Sequence, residues 1–294
     1  MTDENHSYRA SVTGGAKFGW HIVSDAFSRS SRNNIAIASA GVAFYVFLSI
    51  VPLLAATVLT YGLVADQARV AADIGRLSSV MPPSAAELFA DQLQNVVETS
   101  GGKKGIGLII ALAIALFGAR NGAGSILTAL NIAYGVCEAR SFVRANAVAL
   151  LITVCGILGV IVAFGAIAAL TAFTAMLPPA LAVTSSGVTY LATLAGGIAG
   201  SAALFRYAPN REAPGWKTVL PGAIFAAIGW LLLTLGFGIY VSQFGNYNAT
   251  YGSLSAVVVL LTWLYFSAYV MLFGSELNAA WGDHRPGYEG LSVG

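Results

Sequence analysis

Residues 253–280, SLSAVVVLLTWLYFSAYVMLFGSELNAA, carry no charged side chain before Glu276. A helix needs about 20 apolar residues to cross a hydrocarbon layer about 30 Å thick, so this stretch is long enough to span one. Five others match it: 35–64, 105–134, 146–176, 188–207 and 217–241. The fourth is the shortest and the richest in small residues, with Leu194-Ala195-Gly196-Gly197-Ile198-Ala199-Gly200 at its centre. Composition agrees with the reading. Of 294 residues, 57% are hydrophobic and 10% charged, against about 25% charged in a soluble domain. Thirteen acids and fifteen bases are too few to give every face a polar surface. The expected fold is all-α: a polytopic membrane protein with six transmembrane helices.

Basic residues set the orientation. Arg9, Lys17, Arg29, Arg32, Arg140, Arg144, Arg206, Arg211, Lys217 and Arg285 fall on one side, whereas the short loops 177–187 and 242–252 carry neither Lys nor Arg. The positive-inside rule then puts both chain ends in the cytoplasm, the location being the cell inner membrane. Residues 1–34 form a cytoplasmic segment with no cleavable leader pattern. The membrane domain is 35–280, and 281–294 is a cytoplasmic tail.

Within the first segment, residues 16–31 place Phe18, Ile22, Val23, Ala26 and Phe27 on one helical face, with Trp20 nearby. This predicts an amphipathic helix lying in the membrane interface. Residues 65–104 are too long for a plain loop. Ser84 and Glu87 form a capping box, ahead of Leu88, Phe89, Leu93, Val96 and Val97. Two short helices forming an extracytoplasmic cap are expected there.

Candidate functional residues are the polar groups inside the apolar stretches. Arg120 lies about 22 Å below the outer surface at 1.5 Å per residue. A charge at such depth is costly unless it snorkels, meets a partner or faces a polar cavity or anionic ligand. Glu276 is the one acid inside a predicted span, and Asn121, Asn131, Asn278, Ser125 and Thr128 add polar groups towards the same end. Arg120, Asn121, Asn131, Glu276 and Asn278 are therefore the candidate binding residues, against the alternative that such groups only hold helices together. Pro52 removes a helical hydrogen bond in mid-span and is the candidate hinge. Gly118-x-x-x-Gly122 and Gly196-x-x-x-Gly200 fit the small-residue pattern of close helix contacts.

No catalytic pattern stands out. His6, His21 and His284 are scattered, Cys137 and Cys155 are the only cysteines, and no metal-ligand spacing, phosphate loop or nucleophile elbow is present. No catalytic residue, metal or cofactor is expected. A net charge of +2 gives no basic face for nucleic acid.

Four pieces carry a family resemblance: Ala43–Leu54 (AFYVFLSIVPLL), Ala129–Val136 (ALNIAYGV), Tyr251-Gly252-Ser253-Leu254, and Gly274–Ala280 (GSELNAA). In order and spacing the chain resembles the BrkB/YihY family of bacterial inner-membrane proteins from about Trp20 to Trp281. The resemblance implies six spans and gives weight to Glu276, Asn278, Asn131 and Tyr134, while Arg120 lies outside these pieces. Members are linked to virulence through serum resistance and to envelope lipid export. An older ribonuclease label for the family finds no metal cluster or basic face in this sequence. The expected function is transport or flipping of a lipid-like or other amphiphilic solute, with membrane lipids as partners. A non-transporting scaffold for envelope assembly is the alternative, and a homo-oligomer is compatible with either.

Overall fold

The computed structural model describes residues 19–64, 106–174, 179–243 and 253–284. The expected cap at 65–104 lies outside them, as do Phe18 and the C-terminal residues from 285. Among the described residues the chain is all helical. It runs through α1 Gly19–Arg32, α2 Ile35–Val64, α3 Ile106–Ala133, α4 Phe142–Thr174, α5 Pro179–Tyr207, α6 Trp216–Gln243 and α7 Ser253–Asp283.

Helices α2–α7 occupy the six apolar stretches and are 28 to 33 residues long. At 1.5 Å per residue that is about 42–50 Å, enough to cross hydrocarbon with tilt or with ends left in the interface. α5 begins at Pro179, well before the expected 188. Its first turns hold Thr184, Ser185 and Ser186, which dilute the apolar signal without stopping the helix. Proline also suits a first helical position, where no N–H is needed. Among the described residues, segments of α4 (Phe142–Gly159), α6 (Trp216–Val241) and α7 (Val257–Asp283) are long and apolar enough to span a membrane. The bent pair Gly19–Arg32 and Ile35–Ile50 makes a fourth.

That bend is 67°. It sits at Asn33 and Asn34, and Asn34 has a positive φ of 51°. Asparagine enters the left-handed region more readily than most residues. Its carbonyl then accepts the N–H groups of Ile37 and Ala38 at 2.9 and 3.0 Å, opening α2.

The described chain divides into two compact units. Unit one comprises Met1–Ala43, Leu127–Ala139 and Leu194–Gly294; unit two comprises Phe44–Ile126 and Arg140–Thr193.

In unit one, α6 turns small residues inward and large ones outward. Val219, Gly222, Ala223, Ala226 and Ala227 are buried, while Leu220, Ile224, Ile228, Leu232, Leu235 and Ile239 are exposed along one face. A helix in water would be built the other way round. Lipid solvates the large side chains as well as a core would, and small inner residues let helix backbones touch. α6 and α7 make such a contact at Gly222 and Gly274. A methyl group on Gly222 would strike the Gly274 carbonyl oxygen and the Asn278 amide.

α1 does not present the single apolar face expected of it. Ile22 and Ala26 are buried against Phe273, Leu277, Ala280 and Trp281 of α7. Trp20 and Phe27, with Val23, form a separate stripe that is 72% and 66% exposed at its two aromatic rings. The helix therefore carries two apolar stripes, one used against its own protein and one open.

In unit two, Ala56 of α2, Ala115 of α3 and Ile157 of α4 form a buried cluster with Leu53, Leu112, Leu116 and Ile161 around it. Gly118 lies against Pro52, and Gly122 against Ser49 and the Val46 backbone. The Gly118-x-x-x-Gly122 pattern is thus used for close contact. Gly196 and Gly200 meet nothing within 4 Å, and it is Gly197 that faces Ala227, in unit one.

Hydroxyl groups in both units bond back into their own helices. Ser39 donates to Ile35 O at 2.7 Å, Ser49 to Tyr45 O at 2.7 Å and Thr153 to Ala149 O at 2.9 Å. Without water nearby, a polar side chain has to be satisfied internally.

Candidate functional site

The site in unit one is built on the end of α3. Gly135 has φ +64°, the conformation glycine adopts without a Cβ penalty. The N–H of Gly135 bonds Ile132 O at 3.0 Å and that of Val136 bonds Asn131 O at 2.9 Å. This paired arrangement closes the helix. It fixes Asn131, Ala133 and Tyr134 at a defined helix end.

Glu276 stands on α7 with its side chain fully buried. Two side chains meet it, Arg29 of α1 and Asn33 at the bend that follows. Arg29 Nε donates to Glu276 Oε2 at 3.2 Å, and Asn33 Nδ2 donates to Oε1 at 2.6 Å. Asn33 Nδ2 is also 3.4 Å from the Ala133 carbonyl oxygen. Arg29 Nη1 reaches Asp283 Oδ2 at 2.9 Å. One guanidinium thus bridges two carboxylates, leaving the triad with a formal charge of −1. A buried carboxylate without such partners would be prohibitively costly.

Asn278, two positions further along α7, is 2% exposed. Its Oδ1 accepts the Gly222 N–H at 2.7 Å, and its Nδ2 lies 3.5 Å from Tyr134 Oη. Pro221 precedes Gly222 inside α6, where its ring crowds the preceding turn and its missing N–H breaks the helical ladder. Asn278 takes up the donor beside that break. The Tyr134 ring is covered by Arg211, whose Cζ lies 3.6 Å from the ring centroid.

Asn131 is buried and bridges two further segments. Its Nδ2 donates to Glu138 Oε2 at 2.9 Å, and its Oδ1 accepts the Asn210 N–H at 2.8 Å. Asn210 Nδ2 in turn donates to Cys137 O at 2.8 Å. These bonds pin the α3–α4 and α5–α6 connections to one another.

Of the five residues expected from sequence, Asn131, Glu276 and Asn278 therefore belong to one polar cluster in unit one. Arg120 and Asn121 belong to unit two, where Arg120 Nη1 donates to Asn121 Oδ1 at 2.8 Å. Arg120 also lies 5.9 Å from the Phe117 ring centroid, and its buried Nε has no hydrogen-bond partner. The cation that meets Glu276 is Arg29. Pro52 sits within a continuous α2 and packs on Gly118.

Arg29, Asn33 and Arg211 were not among the expected site residues. A signal existed for the first two. Ile22, Ala26, Arg29 and Asn33 recur at helical spacing, so a stripe that buries Ile22 and Ala26 carries Arg29 and Asn33 with it. Arg211 follows a helix end and has no such pattern. Among the described residues no group of three or more His, Cys, Asp or Glu side chains is placed to hold a metal ion.

Comparison with known proteins adds a family. The family model described as Virulence factor BrkB matches residues 26–290. A Bacillus subtilis protein named YfkH, described as ribonuclease-like, is 32% identical over 270 residues, 88% of this chain and 94% of its own. A UPF0761 membrane protein of Rhodospirillum centenum is 29% identical over 288 residues, 90% of this chain; the match spans 58% of that longer relative. A UPF0761 membrane protein of Alteromonas mediterranea is 26% identical, covering 87% of this chain and 85% of its own. No solved structure matches.

Proposed function

Because the chain belongs to the virulence factor BrkB family of membrane proteins, we propose that it moves a lipid-like or other amphiphilic solute across the bacterial inner membrane. In this reading α2–α7 are six spans and both chain ends are cytoplasmic. α1 lies in the cytoplasmic interface with Trp20, Val23 and Phe27 among the headgroups and Ile22 and Ala26 against α7.

The observation that carries the proposal is Glu276. A fully buried carboxylate on a helix otherwise apolar enough to span a membrane is costly to keep and marks a working site more often than a structural one. Its partners are Arg29 on α1 and Asn33 at the 67° bend that follows that helix. They can be exchanged for a solute headgroup without rebuilding a span. The −1 charge of the Arg29–Glu276–Asp283 triad favours a headgroup rich in hydrogen-bond donors. Within unit two, Pro52 on Gly118 is the pivot of α2, and Arg120, with its unpartnered Nε, is a separate candidate polar position.

The test is movement of a fluorescent phospholipid in proteoliposomes, read with a membrane-impermeant reductant. Wild type is expected to accelerate its exchange between leaflets, and Glu276→Gln or Arg120→Ala to abolish that activity while the protein stays folded. Normal movement by both variants would remove the proposed site. No movement by the wild type, together with stable co-purifying envelope proteins, would favour a scaffold.

We read the chain as non-enzymatic. The ribonuclease-like description belongs to the Bacillus relative. Metal-dependent turnover of RNA by highly purified protein would reverse that.

A further inference from the structure

We propose that Arg206, Tyr207 and Trp216 form a binding site for the phosphate of an anionic membrane phospholipid. The site stands on the lipid-solvated reading of the chain and is independent of whether that chain transports anything.

Arg206 occupies the last turn of α5, and Trp216 opens α6. The connection between them is held in place by Asn210, through its bonds to Asn131 and Cys137. The two aromatic rings meet edge to face at 6.1 Å. The Arg206 guanidinium lies over both, 4.6 Å from the Trp216 ring and 5.3 Å from the Tyr207 ring. Among the described residues no carboxylate pairs with it, and its buried Nε has no hydrogen-bond partner. This guanidinium is held in a fixed plane by aromatic contacts while its donors remain unspent. That is the form in which arginine takes up a phosphate.

The surroundings select a lipid phosphate over a free one. Tyr207 and Trp216 are half exposed, as aromatic residues are where hydrocarbon meets headgroups. Trp216 also heads the outward face of α6, followed at helical spacing by exposed Leu220, Ile224, Ile228 and Leu232. A phospholipid with its phosphate at Arg206 would lay its acyl chains along that stripe. Lys217, also exposed, adds a positive charge next to Trp216. Together these favour an anionic headgroup over a zwitterionic one.

Native mass spectrometry of the full chain, released from nanodiscs of phosphatidylcholine with a minor share of phosphatidylglycerol, tests this. Wild type is expected to retain phosphatidylglycerol preferentially. Arg206→Gln should lose about fivefold of that preference, the effect of one basic residue near an anionic surface. Arg206→Lys keeps the charge but loses the planar stack, and should fall between the two; it also serves if the glutamine variant does not fold. Exposed Arg144 supplies the control, and Arg144→Gln should change nothing. Equal retention by wild type and both Arg206 variants would overturn the site. An equal loss from Arg144→Gln would overturn it too, because a diffuse charge effect would then suffice. Displacement of the lipid by millimolar inorganic phosphate would show a simple anion site and defeat the assignment to phospholipid.

Discussion

Arg29 and Glu276 lie 247 positions apart in sequence, yet Nε of the first is 3.2 Å from Oε2 of the second. The carboxylate is fully buried and the guanidinium partly exposed, so the two ends of the pair depend on it unequally. Removing the cation leaves a charge in an apolar setting. Removing the charge leaves an amide whose one oxygen keeps the bond from Arg29 or from Asn33, at the loss of the other, but with no buried charge left unpaired. Arg29→Ala should therefore destabilise by about 3–5 kcal/mol, the range for breaking a buried pair from one side, and Glu276→Gln by clearly less. The double variant should recover much of the loss. Thermal unfolding in detergent checks the order; equal melting of the two single variants would refute it.

The Gly222–Gly274 contact between α6 and α7 allows a sharper comparison. Overpacking a close-packed site costs about 1–3 kcal/mol, and more where backbone stands in the way. Gly222→Ala puts a methyl group onto the Gly274 carbonyl and should lower folded yield severely. Gly236→Ala and Gly238→Ala, with nothing within 4 Å of the added carbon, should express like wild type. Size-exclusion profiles of the three variants decide the matter.

Asn278 offers a test of the polar cluster without any change of charge. Its Oδ1 is the acceptor for the Gly222 N–H at 2.7 Å, beside a proline that has already broken the ladder. Asn278→Leu has similar bulk but strands that buried donor, a loss of about 1–3 kcal/mol. If leucine proves as stable as asparagine, the bond is not holding α6 to α7.

Much of the fold was legible because hydropathy is a local signal. α2 runs over the residues expected of it, and the bounds of α3, α6 and α7 agree to within three residues. α5 departs most, because its first turns hold the hydroxyl residues Thr184, Ser185 and Ser186, which dilute the local apolar signal without ending the helix. The site was legible only in part. Glu276, Asn278 and Asn131 stood out as polar groups in apolar surroundings, and they do share a cluster. Arg29 and Asn33, which meet Glu276, and Arg211, which covers Tyr134, lay outside the spans; helical spacing ties the first two to Ile22 and Ala26, but nothing local records which distant helix that stripe packs against. α1 shows the same limit. Periodicity grouped Ile22 and Phe27 on one face, but only the packing of α7 divides that face into a covered stripe and an open one.

The two cysteines allow the membrane reading itself to be tested without mutation. Both thiols are free and exposed at the protein surface, but their surroundings differ. Cys137 lies in the segment between α3 and α4, where its carbonyl accepts a bond from Asn210. Cys155 lies in α4, inside the stretch Phe142–Gly159 that is apolar enough to span. In water both would react with a maleimide at comparable rates. In a bilayer only Cys137 meets the aqueous reagent, because a charged reagent does not enter hydrocarbon. Labelling of intact membrane vesicles with a charged maleimide should therefore modify Cys137 alone, and with both ends cytoplasmic it should do so only from the cytoplasmic face. Solubilisation in mild detergent should leave Cys155 slow, and denaturation should bring it to the rate of Cys137. Rapid labelling of Cys155 in intact vesicles would mean that water reaches the middle of α4, and the lipid-solvated reading of that helix would have to be given up.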